Sequence, residues 1–301
     1  MRIACIVPTY NSHSELTRLL ASLDVQTLDH DLVIVDSSSC DGTAELGRSR
    51  ADIFIPINQR DFNHGGTRQM VVDLLVDHDV LVFLTQDAEL VEPEALAKLV
   101  ACFDDRTVGA ACGRQLPHQN ANPFAEHARL FNYPAEGRVV DRNNLKLYGL
   151  KAAFMSNSFA AYLRTALVAA GGFPTNVILA EDMYVAARMV MAGWKIVYAS
   201  EAMCRHSHNY TVKEEAQRYF DTGVFHARET WIRSTLGGTG GEGRRYVVSE
   251  LRFLGLRRAR LWPASLWRNA AKLAGYKLGQ AEEQIPLPLK RRWSMHRGFW
   301  K

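Results

Sequence analysis

Short β-branched runs alternate with stretches of helical spacing through the first 112 residues. Ile3–Val7 reads as a buried strand, and Leu16, Leu19, Leu20 and Leu23 follow at helical spacing behind a Ser14 N-cap. Leu32–Val35 is a second strand that ends in a Ser/Asp/Gly turn over Asp36–Gly42, after which Asp41-Gly42-Thr43 opens a helix. Ile53–Ile55 and Val80–Leu84 are the third and fourth strands, with a helix from Thr67 to Val76 between them. Pro93 sits at a helix start, with Leu96, Leu99, Val100 and Phe103 as its apolar face, and Val108–Cys112 is a fifth strand. Strands alternating with single helices predict an α/β fold: a Rossmann-like, mostly parallel sheet with helices on both faces.

The rhythm lapses over 114–150, a stretch rich in Asn, Pro, His and Arg that reads as a long surface excursion. Order returns with a strand over Ala153–Tyr162, a helix over Asp182–Met191 closed by Gly193, and a strand at Lys195–Tyr198. From Val212 onward the chain reads as helical, broken by Gly237-Gly238-Thr239-Gly240-Gly241. This gives a catalytic domain over 1–236 and a helical extension over 237–301.

Charge separates along the same line. The net charge of +4 divides into +11 over 244–301 and −7 over 1–243, and the basic end holds four of the six tryptophans. Arg244–Arg260 mixes arginines with Leu251, Phe253 and Leu254, and Leu266, Trp267, Ala270, Leu273, Ala274 and Lys277 continue at helical spacing. Basic amphipathic helices with Trp suit an inner-membrane surface, and the alternative is a helical unit packed on the body or on a second protomer. Nucleic acid is not expected as a partner, because no recognised nucleic-acid fold accompanies the charge. Five scattered cysteines without a CxxC pair, and no run of about 18 apolar residues, point to a cytoplasmic protein, peripheral at most on the membrane.

Ligands of open α/β sheets bind beyond the carboxyl ends of the strands. Three strand ends here are polar: Pro8–Asn11, Asp36–Thr43 and Thr85–Ala88. No GxGxxG turn follows the first strand and no GxxxxGK[ST] occurs, which excludes the glycine-cradled dinucleotide and P-loop sites. A site that holds a nucleotide through side chains remains. Asp36 is a candidate for a base or ribose contact and Asp87 for a divalent ion on phosphates. Turn and helix-cap chemistry is an equal reading for Asp36 and Asp41.

Val7–Asn11, Val33–Asp36 with Asp41-Gly42-Thr43, a strand-end Asp87 and Glu181-Asp182 together resemble the family-2 inverting glycosyltransferases of GT-A fold. Asp61–Arg68, Thr85–Ala88 and Arg205–Tyr210 are similar to the bacterial rhamnosyltransferase branch, and the likeness spans about residues 3–226. The resemblance implies a nucleotide-sugar donor, dTDP-L-rhamnose, and a glycan or lipid-linked glycan acceptor in surface polysaccharide synthesis. Thr9, Asp36, Arg68, His64 and Gln86 would hold the donor. Asp87 would be the second acid of the Asp-x-Asp motif, with Thr85 in place of the first, and His206 a further contact to Mg2+ or Mn2+. Asp182 would be the catalytic base, kept ionised by the helix dipole.

Blander readings stand beside these. Glu181-Asp182 suits any helix N-terminus. His206 and His208 alternate, so one is expected inward and the other in solvent. Glu89 is a second candidate ligand, and Phe62, Tyr133 and Tyr148 could line the site or simply pack. The rival functions are transfer of another nucleotide sugar and a catalytically silent binding module; homo-oligomerisation is left open.

Overall fold

The computed structural model describes residues 1–238 and 241–300, so Thr239 and Gly240 of the Gly-rich break lie outside the described residues. The chain runs β1 (Ile3–Thr9), α1 (His13–Asp24), β2 (Asp31–Asp36), α2 (Thr43–Arg50), β3 (Ile53–Pro56), α3 (His64–Leu74) and β4 (Val80–Leu84). Next come β5 (Glu89–Leu90), α4 (Ala95–Val100), β6 (Val108–Leu116), α5 (Pro123–Asn132), β7 (Arg138–Val140), α6 (Leu145–Tyr148) and β8 (Phe159–Leu163). The remainder is α7 (Arg164–Ala169), α8 (Glu181–Met191), β9 (Lys195–Arg205), α9 (Val212–Arg228), α10 (Thr230–Leu236), α11 (Glu242–Leu254), α12 (Trp262–Gln280) and α13 (Leu287–Trp293).

The strands form one sheet in the order β3-β2-β1-β4-β8-β6-β9-β5, with β7 on β9. The expected parallel pairing holds from β3 to β4 and again between β6 and β9, but β8 runs antiparallel to both β4 and β6. Alternation along β1 explains the two layers. Ala4 and Ile6 face α3 and α8, whereas Ile3, Cys5 and Val7 face α1 and α4, so both faces are apolar and both are covered by helices.

Several boundaries move. Helix α1 begins after Ser12, not Ser14, and its first N–H donates to the Asp41 carboxylate at 3.2 Å, while the Ser14 hydroxyl turns to Glu15. Helix α3 begins at His64, three residues earlier than expected, because the Asn63 side chain caps Gly66 N–H at 2.7 Å. The 114–150 stretch is not a surface excursion. It contains the end of β6, α5 and β7, and it buries Tyr133, Val140 and Leu150 in the core. The expected strand over Ala153–Tyr162 is irregular until Phe159.

The carboxyl ends of β1, β2, β4, β6 and β9 share one edge of the sheet, and the antiparallel β8 brings its amino end there. Helix α12 lies along α9 at backbone distance. A Cβ on Gly279 would stand 1.9 Å from the Phe220 carbonyl oxygen, and one on Gly275 2.2 Å from that of Ala216. Beyond α13, Met295 and His296 return to the sheet edge, held there by Asp221 of α9, whose carboxylate accepts both of their N–H groups.

Candidate active site

A cavity of about 1170 Å³ opens at this edge. Its wall carries Thr9 and Tyr10 from β1, His64 and Arg68 from α3, Thr85–Asp87 after β4, His206 and His208 after β9, and Met295–Phe299 from the C-terminal segment. Asp36, buried, and Asp182, half-buried, are not among its lining residues.

The β1 and β2 ends are knitted to each other. The Asp36 carboxylate accepts from the Thr9 hydroxyl at 3.0 Å and from the N–H and hydroxyl of Ser39 at 2.9 and 2.6 Å. Asp41 accepts from the N–H and hydroxyl of Thr43 and from His13 N–H. Both acids therefore perform the turn and cap chemistry their positions allow. Gln86 likewise bridges strand ends, its Oε1 accepting from Tyr10 N–H at 2.8 Å and from the Ser12 hydroxyl at 2.6 Å.

Asp87 faces both histidines. His206 Nε2 is 3.4 Å and His208 Nδ1 3.7 Å from its Oδ2, and one ligand atom from each of the three residues lies within 4.8 Å of the others. As expected, His206 is the buried member of the pair and His208 the exposed one, its side chain 37% accessible, yet both reach Asp87. Strand β9 ends at Arg205, so strict alternation no longer governs the backbone, and the two rings meet edge to face at 4.7 Å. Glu89 is not part of the set; it pairs with Arg18 at 2.6 Å. Burial alone would raise the Asp87 carboxyl, but the hydrogen bond and charge of His206, with His208 and Thr85, hold it well below the usual range.

The residues fit a divalent cation in their proton positions as well. His206 is buried, which lowers its pKa against the raising effect of Asp87. Its Nδ1 donates to Gln115 Oε1 at 3.0 Å, and Gln115 is oriented in turn by Arg129 and by donating to the Ser156 hydroxyl at 2.8 Å. With Nδ1 committed to Gln115, Nε2 is the atom that faces Asp87, and in the neutral ring it would carry the lone pair a metal ligand needs. Imidazole and carboxylate together suit Mn2+ or another borderline ion better than Mg2+, which prefers an all-oxygen shell.

The acid pair opens α8. Glu181 is buried and takes Arg68 Nη1 at 3.1 Å and Asn157 Nδ2 at 3.0 Å; despite burial, Arg68 and His64 hold it below its ordinary pKa. Asp182 accepts from its own helix at Met183 N–H, 2.7 Å, and from Asn157 N–H, 3.2 Å. Removal from water beside the ionised Glu181 outweighs those bonds and pushes Asp182 up to about 7. The expectation that the helix dipole keeps it fully ionised is corrected accordingly.

Residues 156–158, just before β8, join the two groups. Ser156 meets Gln115, Asn157 meets both acids of the pair, and the Ser158 hydroxyl lies 3.5 Å from His206 Nε2. Arg68 is engaged by Glu181 and the His64 carbonyl, with its Nε unpartnered. His64 stands edge to face with Phe62 at 5.1 Å and with His296 at 4.8 Å. Of the aromatic candidates only Phe62 reaches the wall. Tyr133 packs on Phe154 and Tyr198, and Tyr148 lies against Arg138.

His208, Gln115, Asn157 and His296 are the members that sequence reasoning missed. The His-x-His pair carried a signal for the first; nothing local marks the other three.

Residues 4–169 match the family model described as "Glycosyl transferase family 2". The chain is 48% identical over 303 residues to the O-antigen chain rhamnosyltransferase RfbN of Salmonella typhimurium, covering 100% of this chain and 96% of that protein. It is also 48% identical over 298 residues to the O-antigen chain rhamnosyltransferase WbaN of Salmonella anatum, covering 98% and 94%. Among solved structures it is similar to the mannosyltransferase PcManGT of Pyrobaculum calidifontis in complex with GDP-Man and Mn2+, with TM-score 0.58, 21% identity and coverage of 99% and 84%. TarS 1-349 of S. aureus follows with TM-score 0.56, 15% identity and coverage of 94% and 92%. These structural likenesses concern the fold.

Proposed function

The chain belongs to glycosyl transferase family 2, and from that premise we propose that it transfers L-rhamnose, with inversion, from dTDP-L-rhamnose to a hydroxyl of a lipid-linked O-antigen glycan. The observation that carries this reading is the pairing of two chemistries at one cavity. An Asp-His-His set that could hold a cation lies on the wall, and an acid pair is joined to it through residues 156–158. The cavity exceeds the roughly 300–1,000 Å³ of ordinary ligand pockets, enough for a nucleotide sugar and the end of an acceptor. The identity to two rhamnosyltransferases over nearly their whole length supports the choice of sugar.

Asp182 is the base in this reading. A carboxylate with a pKa near neutrality is well matched to taking the acceptor hydroxyl proton as the new glycosidic bond forms. Arg68 keeps Glu181 ionised, and Glu181 in turn raises its neighbour. Asn157 holds Asp182 in place from the side opposite its helix. Asp87, His206 and His208 would hold the divalent ion, Mn2+ by the character of the donor set, and the ion when bound neutralises charge on the departing diphosphate. Thr9 and Asp36 fix the strand ends against which the nucleoside would lie, Gln86 does the same between β1 and β4, and His64 and Arg68 face the sugar diphosphate.

The test is release of nucleoside diphosphate from dTDP-L-rhamnose, UDP-glucose and GDP-mannose, each with a lipid-linked acceptor and Mn2+. Turnover confined to dTDP-L-rhamnose, abolished in Asp182→Asn with donor binding retained, is the expected result. Preference for another donor would overturn the sugar assignment. Undiminished turnover in Asp182→Asn would overturn the base. Binding without turnover under every condition would leave a silent binding module.

A further inference from the structure

Helix α12 is patterned inside out. Its inward face carries Ser265 against Glu250 of α11, Gly275 and Gly279 against α9, and Arg268 and Lys272, which pair with Glu215 at 3.0 and 3.3 Å. Its outward face is apolar. Leu266 is 52% exposed, Trp267 67% and Leu273 60%, with Trp262 and Leu278 completing the stripe at helical spacing. Ala270 and Ala274 fill the positions between, and Lys277 is the one charge on this arc. No acidic residue occurs anywhere in α12. The turn that leads into the helix, Leu256–Leu261, exposes Leu256 together with Arg257, Arg258 and Arg260.

We propose that this arc of α12, with the arginine turn at its head, docks on an anionic phospholipid surface. Exposed Trp and Leu on one side of a helix that has no acid of its own, flanked by cations of which Arg258 alone reaches a carboxylate, Glu126 at 3.8 Å, match the headgroup boundary, where apolar side chains enter and arginines meet phosphate. A contiguous apolar face of this kind on a soluble body marks a contact surface. A second copy is the poorer occupant. In an isologous contact the arginine turn and Lys277 would face the same positive face, with no acid on α12 to answer them. This inference rests on the outward face alone and does not depend on the donor or the reaction.

The experiment is flotation of the full chain with vesicles of phosphatidylcholine alone and of phosphatidylcholine with 30 mol% phosphatidylglycerol, at about 0.1 and 0.5 M salt. Binding to the anionic vesicles only, at least tenfold weaker at high salt, is expected. Trp267→Asp and the pair Arg257→Glu with Arg260→Glu should each weaken it at least tenfold. Both changes fall on exposed side chains, and unchanged far-UV circular dichroism checks the fold. No flotation with anionic vesicles would overturn the proposal, as would flotation indifferent to Trp267→Asp. Light scattering that shows a dimer dissolved by Trp267→Asp, without vesicle binding, would assign the face to a second copy instead.

Discussion

Asp182→Asn should flatten the pH dependence of stability while it removes most of the turnover. In the folded chain the Asp182 carboxyl, withdrawn from water beside Glu181, titrates at about 7 in place of 3.8. Between those values the folded state holds a proton that the unfolded chain has released. The stability linked to this group is therefore greatest at acid pH and falls as pH rises toward and through 7. Between pH 5 and pH 8, a shift of that size costs the wild type about 2–3 kcal/mol. Asparagine does not titrate. Its single carbonyl oxygen cannot serve both Met183 N–H and Asn157 N–H, so the variant carries a penalty of about 1–3 kcal/mol that is the same at every pH. Comparing the two proteins at two pH values removes that penalty. Urea unfolding at pH 5 and pH 8 should show the variant gaining about 2–3 kcal/mol on the wild type across the interval. Wild-type turnover should rise with pH through about 7 as the base ionises, and the variant should lose about 100-fold or more. Parallel stability profiles for the two proteins would refute the claim that burial beside Glu181 sets this group's protonation.

Gln115→Leu removes the acceptor that fixes His206 Nδ1, so Mn2+ affinity measured by calorimetry should fall about 10–100-fold, with Gln115→Glu restoring most of it. His208→Ala should weaken the same ion by a similar factor, and an unchanged affinity would return the site to Asp87 and His206 alone. Asp221→Ala frees the N–H groups of Met295 and His296 and should raise the donor KM more than it lowers kcat, as measured by steady-state kinetics. Gly279→Val drives a side chain into the Phe220 carbonyl and should cost about 3 kcal/mol or more in urea unfolding.

What the sequence disclosed follows from range. Strands β1 to β4 and the helices between them are legible because each is a local pattern, an apolar run bounded by turn residues. Asp87 and His206 are legible because each ends or follows such a strand. The direction of β8 is not, since a buried apolar run reads the same both ways, and that direction alone brings Ser156, Asn157 and Ser158 to the site edge. Gln115 has its role only through Arg129, Ser156 and His206, which no spacing connects to it. His208 reaches Asp87 because the chain leaves β9 at Arg205, a boundary the expected strand, ending at Tyr198, placed seven residues too early.

The C-terminal part reverses the usual inference from pattern to packing. An apolar stripe at helical spacing ordinarily faces the core, and Leu266, Trp267 and Leu273 form one that faces water. The opposite face prevails because it allows a closer approach. With Gly275 and Gly279 in contact with α9 carbonyls, the backbones meet at a distance that no leucine-lined face permits, and Gly223 of α9 answers against Tyr276. Glu215 on α9 then selects the orientation, because turning α12 over would strand that buried carboxylate without Arg268 and Lys272. Three glycines and one ion-pair cluster thus decide which side of α12 is inner. They also tie the exposed arc to α9, the helix whose Asp221 holds Met295 and His296 over the cavity, so whatever occupies the arc bears on the same helix that shapes the wall of the site.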